Sequence, residues 1–139
     1  MASVFSLIMD GKIPGNFVWQ DDKAVAILTI QPIRAGHLLV IPREEIDHWT
    51  DLPLDLAAHL MQVSSKIGNA LKVAYPATRV GMMIAGLEVP HTHIHLVPID
   101  SMEDLSFAKA KSADADELKD VAQRIRAVLL EQGHLEAQV

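Results

Sequence analysis

The run HTHIHLVPI, His91 to Ile99, places three histidines at alternate positions in an otherwise apolar stretch. In an extended chain successive side chains point to opposite faces, so His91, His93, His95 and Val97 share one side and Thr92, Ile94 and Leu96 the other. Three imidazoles in a core carry six ring nitrogens that need partners. The apolar side is therefore expected to lie against a helix, and the histidine side to face a cleft or solvent. Surface histidines of a half-buried strand are the plainest reading. Metal binding is a second, but alternate residues lie ~6.7 Å apart, so His91 and His95 are separated by roughly 13 Å, whereas zinc needs each nitrogen at ~2.1 Å. Two adjacent members could share an ion, and a three-ligand site would need another group such as His37 or Glu88. The third reading makes one imidazole a nucleophile, with its neighbours donating to non-bridging oxygens or to a leaving group along an extended anionic substrate.

The elements that must hold this row can be read from periodicity. Val4 to Met9 is a short apolar stretch closed by Gly11, Pro14 and Gly15, consistent with a turn or two of helix. Phe17 to Gln20 and Ala24 to Ile30 read as a strand pair joined through Asp21, Asp22 and Lys23. HLLVIP, ended by Pro42, is a third strand. From Thr50 or Asp51, either of which can cap, Leu56, Leu60, Val63, Ile67, Leu71 and Ala74 recur at helical spacing until Pro76. Arg79 to Ala85 reads as a strand, Gly86 to Pro90 as a turn and His91 to Val97 as a strand. Ser101 to Asp116 is polar and loop-like, followed by an amphipathic helix from Asp116 to Gln132 with Leu118, Val121, Ile125, Val128 and Leu129 on one side. Hairpin-joined strands with helices gathered on one side make an α+β domain on an antiparallel sheet.

Composition narrows the function classes. The 139 residues are half apolar, with a formal net charge of -6 and no cysteine. One domain over 1–139 is the simplest organisation, with its core in 4–99 and a loop-and-helix extension in 101–139. An acidic balance without a basic run argues against nucleic acid as a partner. Disulfides, thiol nucleophiles and iron–sulfur clusters are excluded. No apolar run approaches the ~18 residues of a membrane span, and MASVFSLIMDGK lacks the basic start of a signal peptide. A cytoplasmic protein without membrane attachment is expected.

HTHIHLV also resembles the histidine triad of the HIT (histidine triad) nucleotide-binding proteins. GKIP at 11–14, QDDKAVAIL at 20–28, GHLLVIP at 36–42 and GLEVPHTHIHLVP at 86–98 follow in that family's order. The resemblance implies a five-stranded antiparallel sheet with a long helix, a homodimer, no cofactor, and a site for nucleoside 5'-phosphoryl compounds, a purine nucleotide foremost. By this match His93 is the nucleophile at the α-phosphorus, His95 contacts phosphate oxygens and assists the leaving group, His91 orients the site and His37 completes the network. Val4, Phe5, Ile8, Ile27 and Ile30 match positions that line the nucleoside slot. Three departures stand out. Thr29 sits where many relatives hold the ribose with an acid, Leu87 and Glu88 sit where a Gln and a hydroxyl are common, and GMMIAG has no counterpart of a frequent Asn. Cysteine-bound structural zinc, used by some relatives, has no ligands here. Release of a nucleoside monophosphate, AMP foremost, from a phosphoramidate or related 5'-substituted nucleotide is the activity implied. Dinucleoside polyphosphate hydrolysis and nucleotide binding with little turnover are the alternatives, and the segment after Ser101 is expected to shape the leaving-group side or a dimer contact.

Overall fold

Residues Met1–Val139 are all described in a computed structural model. Alternating side chains on the strands divide the molecule into two apolar layers. Ala24, Ala26, Leu28, Leu38, Val40, Ile94 and Leu96 join the helices in the main core. Val25, Ile27, Leu39 and Ile41 project to the other face, where Phe5 covers them. The strands are β1 (Phe17–Gln20), β2 (Ala24–Leu28), β3 (Leu38–Pro42), β4 (Arg79–Met83) and β5 (Ile94–Ile99), in the order β1-β2-β3-β5-β4 and antiparallel throughout. Helix α1 (Val4–Met9) lies over the second layer, while α2 (Leu54–Ala74) and α3 (Ala115–Glu131) cover the first. This is the expected α+β architecture.

The β1–β2 connection is made by the Asp21 side chain, whose Oδ1 accepts from the backbone N–H groups of Lys23 and Ala24 at 2.8 Å each. Several element bounds differ from expectation for identifiable reasons. β2 stops at Leu28 rather than Ile30, because the Thr29 hydroxyl turns the chain by accepting from the Gln31 N–H at 3.2 Å. Neither Thr50 nor Asp51 caps α2; both lie in a single 3-10 turn, Trp49–Asp51, and the helix begins behind Pro53. Leu52 precedes that proline and is held extended at ψ 135°, so no helix could run through it. The β4 ladder ends at Met83, which is paired with His95, and not at Ala85. β5 begins at Ile94, so His91 to His93 precede the ladder instead of lying within it.

The segment after Ser101 is less loop-like than its polarity suggests. Two 3-10 turns, Met102–Leu105 and Phe107–Lys109, precede α3, and the Asp114 carboxylate caps that helix by accepting from Glu117 N–H at 2.8 Å. Leu118, Ala122, Ile125 and Leu129 of α3 belong to the main core, with Val121 and Val128 packed beside them. The extension therefore completes the core. Ile125 is fully buried, so Ile125→Ala is expected to lower stability by about 2–5 kcal/mol in urea unfolding. A loss within about 0.5 kcal/mol, the range of ordinary surface changes, would show α3 to be a peripheral attachment.

Candidate active site

The interruption of the ladder before Ile94 lets the chain place His91 and His93 by contacts other than strand pairing. Thr92 anchors the approach, since its backbone N–H and its hydroxyl both donate to the Ile46 carbonyl at 2.7 Å. His91, His93 and His95 are buried. The expected cleft-facing row thus lies beneath the surface, and its ring nitrogens are accounted for one at a time.

His91 Nε2 is 2.7 Å from the carbonyl of Pro42, which can only accept, so Nε2 carries the proton. Its Nδ1 then accepts from the Ser3 hydroxyl at 2.6 Å. Ser3 is also the N-cap of α1, its oxygen accepting from Ser6 N–H at 3.1 Å. Glu45 completes this corner by accepting from the Ser3 N–H and from the Ser6 hydroxyl, contacts that hold its carboxyl below the usual range. The carbonyl of His91 in turn accepts from His93 Nδ1 at 2.7 Å. With that proton committed, the lone pair of neutral His93 is on Nε2.

A second chain fixes His95. The Ile33 N–H donates to His37 Nδ1 at 3.0 Å, so in the neutral ring Nε2 of His37 bears the proton and donates it to His95 Nδ1 at 2.9 Å. His95 must therefore carry its own proton on Nε2, an atom that is buried and has no partner in the protein. Burial keeps these rings neutral: it pushes His37 down to about 3, helped by His95, and His95 to about 4, helped by His93 against the opposing pull of Glu88. Burial also lowers His91, against the effect of the Pro42 carbonyl. Of the six triad nitrogens four are engaged internally, and the two left over are the lone pair of His93 and the N–H of His95. The two rings stand edge to face with centroids 5.1 Å apart.

Both rings line a cleft of about 460 Å³, within the size range of small-molecule sites. Phe5, Ile8, Ile27 and Leu39 form its apolar floor and wall, Val4 and Ile30 are exposed at its rim, and Thr29 and Gln31 supply polar edges. Phe5 stands edge-on to His93 with centroids 4.9 Å apart, and Phe107 edge-on to His95 at 5.0 Å. Glu88 also lines the cleft, its Oε2 3.8 Å from His93 Nε2. Leu87 does not line it, and the residue is 92% exposed. No three His, Asp or Glu side chains are grouped so as to share one metal ion.

The family model for the HIT domain matches residues 10–102. The chain belongs to the HIT family. An HIT-like protein of Methanocaldococcus jannaschii is 30% identical over 121 residues, 83% of this chain and 94% of the relative. An adenosine 5'-monophosphoramidase of Saccharomyces cerevisiae is 31% identical over 98 residues, 70% of this chain and 62% of that enzyme. Among solved structures, a zinc-bound histidine triad family protein from Mycobacterium smegmatis superimposes with a TM-score of 0.82 at 29% identity, over 96% of each chain.

In this HIT chain the four histidines expected to act together, His37, His91, His93 and His95, are joined by hydrogen bonds or ring contacts. Val4, Phe5, Ile8, Ile27, Thr29, Ile30 and Glu88 are brought to the same cleft. Reasoning from sequence missed Ser3, Glu45, Leu39 and Phe107. Glu45 reads as a solvated turn residue, and its partners lie 39 and 42 positions away, where no local pattern could reveal them. Of the other histidines, His59 meets Asp21 at 2.9 Å, His134 tilts over Trp19 at 5.7 Å and His48 is exposed.

The neutral rings carry a pH signature. Unfolded imidazoles protonate near 6.5, whereas His37 and His95 in the fold resist protonation to about 3 and 4. Their contribution to stability is whole above pH 6.5 and is lost as pH falls from there toward 4, because the unfolded state takes up the protons first. Urea midpoints between pH 7.5 and 4 should fall less steeply in His37→Asn than in the parent chain. Equal slopes would place His37's pKa in the fold near its unfolded value.

Proposed function

We propose that this HIT protein hydrolyses, or transfers from, nucleoside 5'-phosphoramidates and related nucleotides at the α-phosphorus, releasing a nucleoside monophosphate, AMP foremost. The observation that carries this reading is the lone pair on His93 Nε2 beside the partnerless N–H of His95 Nε2. A buried donor without a partner costs about 1–3 kcal/mol, a cost that an anionic phosphoryl oxygen would offset. His93 Nε2 forms a bond to phosphorus as the P–N bond breaks, and the departing nitrogen takes one proton from solvent, so that it leaves as the neutral amine. Water then cleaves the His93–phosphorus bond, its hydroxyl going to phosphorus and its proton balancing the one taken. The sum is hydrolysis of a P–N bond through a nucleotidyl-His93 intermediate. His95 donates to the phosphoryl oxygens and toward the leaving group, and His37 holds it in the tautomer that can. His91 orients His93 through its carbonyl. The apolar slot of Phe5, Ile8 and Ile27 suits a purine, with Thr29 at its polar edge, and the reaction needs no cofactor.

The alternative of dinucleoside polyphosphate hydrolysis is disfavoured by Glu88, which sets a carboxylate beside the attacking nitrogen. That same placement supports the reading of a nucleotide-binding protein with little turnover. A homodimer is proposed on the family resemblance together with β4, whose outer edge has no neighbouring strand and carries the exposed Met82. The cysteine-free composition fits the cytoplasm, and no helix is long and apolar enough to cross a membrane.

With adenosine 5'-phosphoramidate in EDTA, early quenching and mass spectrometry should show a nucleotidyl adduct on His93. Turnover should be abolished in His93→Ala, a loss on the order of 10³-fold or more. Activity that requires added zinc would refute the mechanism, and AMP binding without turnover of any nucleotide would favour the binding-protein reading. Faster turnover of diadenosine polyphosphate than of the phosphoramidate would reverse the order of the two enzyme readings. Sedimentation velocity should give twice the chain mass, and a monomer at micromolar concentration would exclude the dimer.

A further inference from the structure

We propose that Glu88 is a specificity-determining residue that selects substrates whose leaving group carries positive charge, an aminoalkyl amine in place of a neutral alkyl amine or an oligophosphate. This rests on the phosphorus-transfer reading above and names the leaving-group class within it. Two observations carry it. First, Glu88 is the single formally charged side chain lining the cleft, which has no Lys or Arg in its walls. Burial keeps His95 and, behind it, His37 neutral, and no Lys or Arg in the walls offsets the charge of an oligophosphate. Second, Glu88 Oε2 lies 3.8 Å from His93 Nε2, so an acceptor stands opposite the lone pair of the neutral ring. Phosphate oxygens are acceptors too and add a third repulsive member to that pair. A cationic group brings N–H donors and the opposite charge, the complement of both.

The position of Glu88 in the chain agrees with a contact to the variable end of a substrate. The nucleoside floor is built from α1, β2 and β3, whereas Glu88 stands in the loop between β4 and β5, just after Gly86, which turns the chain at φ +78°. Its side chain is 56% exposed, so it can follow a leaving group without disturbing the core. Phe107 and Ala110 line the same cleft from the segment after β5.

The test compares adenosine 5'-phosphoramidates bearing N-butyl and N-(4-aminobutyl) groups, which share a four-carbon chain and differ in the terminal ammonium, in the full chain and in Glu88→Gln. The parent protein should favour the aminobutyl compound by roughly fivefold in kcat/KM, the size expected of a partly exposed ion pair. The preference should fall to about one in Glu88→Gln and weaken in high salt. An equal ratio in the two proteins would overturn the proposal. If neither compound is turned over, it is the hydrolase reading that fails. Calorimetry with the butyl and 4-aminobutyl esters of AMP then decides on Glu88: a preference for the charged ester that Glu88→Gln abolishes sustains it, and equal affinities overturn it.

Discussion

The hydrogen bond from His93 Nδ1 to the carbonyl of His91, at 2.7 Å, is the contact on which the rest of the site depends. An imidazole has one lone pair when neutral, and a backbone carbonyl cannot donate, so this bond places the lone pair on the nitrogen left to the cleft. The carbonyl is available because His91 to His93 lie ahead of β5 rather than inside its ladder. Had the strand pairing begun at His91, that oxygen would have been drawn toward a neighbouring strand. His91 is itself clamped at both ring nitrogens, by Ser3 and by Pro42. The first turn of α1 and the end of β3 therefore locate the atom that locates His93.

His95 is governed by a different chain of contacts with the opposite result. A backbone N–H at Ile33 can only donate, and through His37 it leaves His95 with its proton on the cleft side. Two neighbouring imidazoles, one just ahead of β5 and one within it, are thus set in complementary states, one an acceptor and one a donor, by a carbonyl in one case and an amide in the other. Burial then holds His37 and His95 neutral. The site is electrically bare apart from Glu88, which is why a single exposed carboxylate can weigh on the choice of substrate.

Much of this arrangement is legible in the residues themselves. Alternation in HTHIHLVPI correctly sends Ile94 and Leu96 into the helix-side core and His95 to the other face. The acidic turn at Asp21, the strand at GHLLVIP and the apolar side of α3 follow from short-range patterning. Partnerships across long separations do not. Ser3 meets His91 across 88 positions, and nothing in MASVFSLIM marks Ser3 as more than a helix cap. Phe107 lies in a polar stretch whose 3-10 turns are held by capping contacts and by Arg34, which reaches Asp104 at 2.9 Å. The onset of α2 was displaced by the conformational demand of Pro53 on Leu52, a constraint stronger than the capping preference of Thr50 or Asp51.

The fold holds His93 and His95 in opposite tautomers, and nitrogen-15 NMR of the histidine side chains reads this directly. At neutral pH His93 should show a protonated Nδ1 and an unprotonated Nε2, and His95 an unprotonated Nδ1 and a protonated Nε2. The same tautomer in both rings, or a protonated Nε2 on His93, would contradict the account.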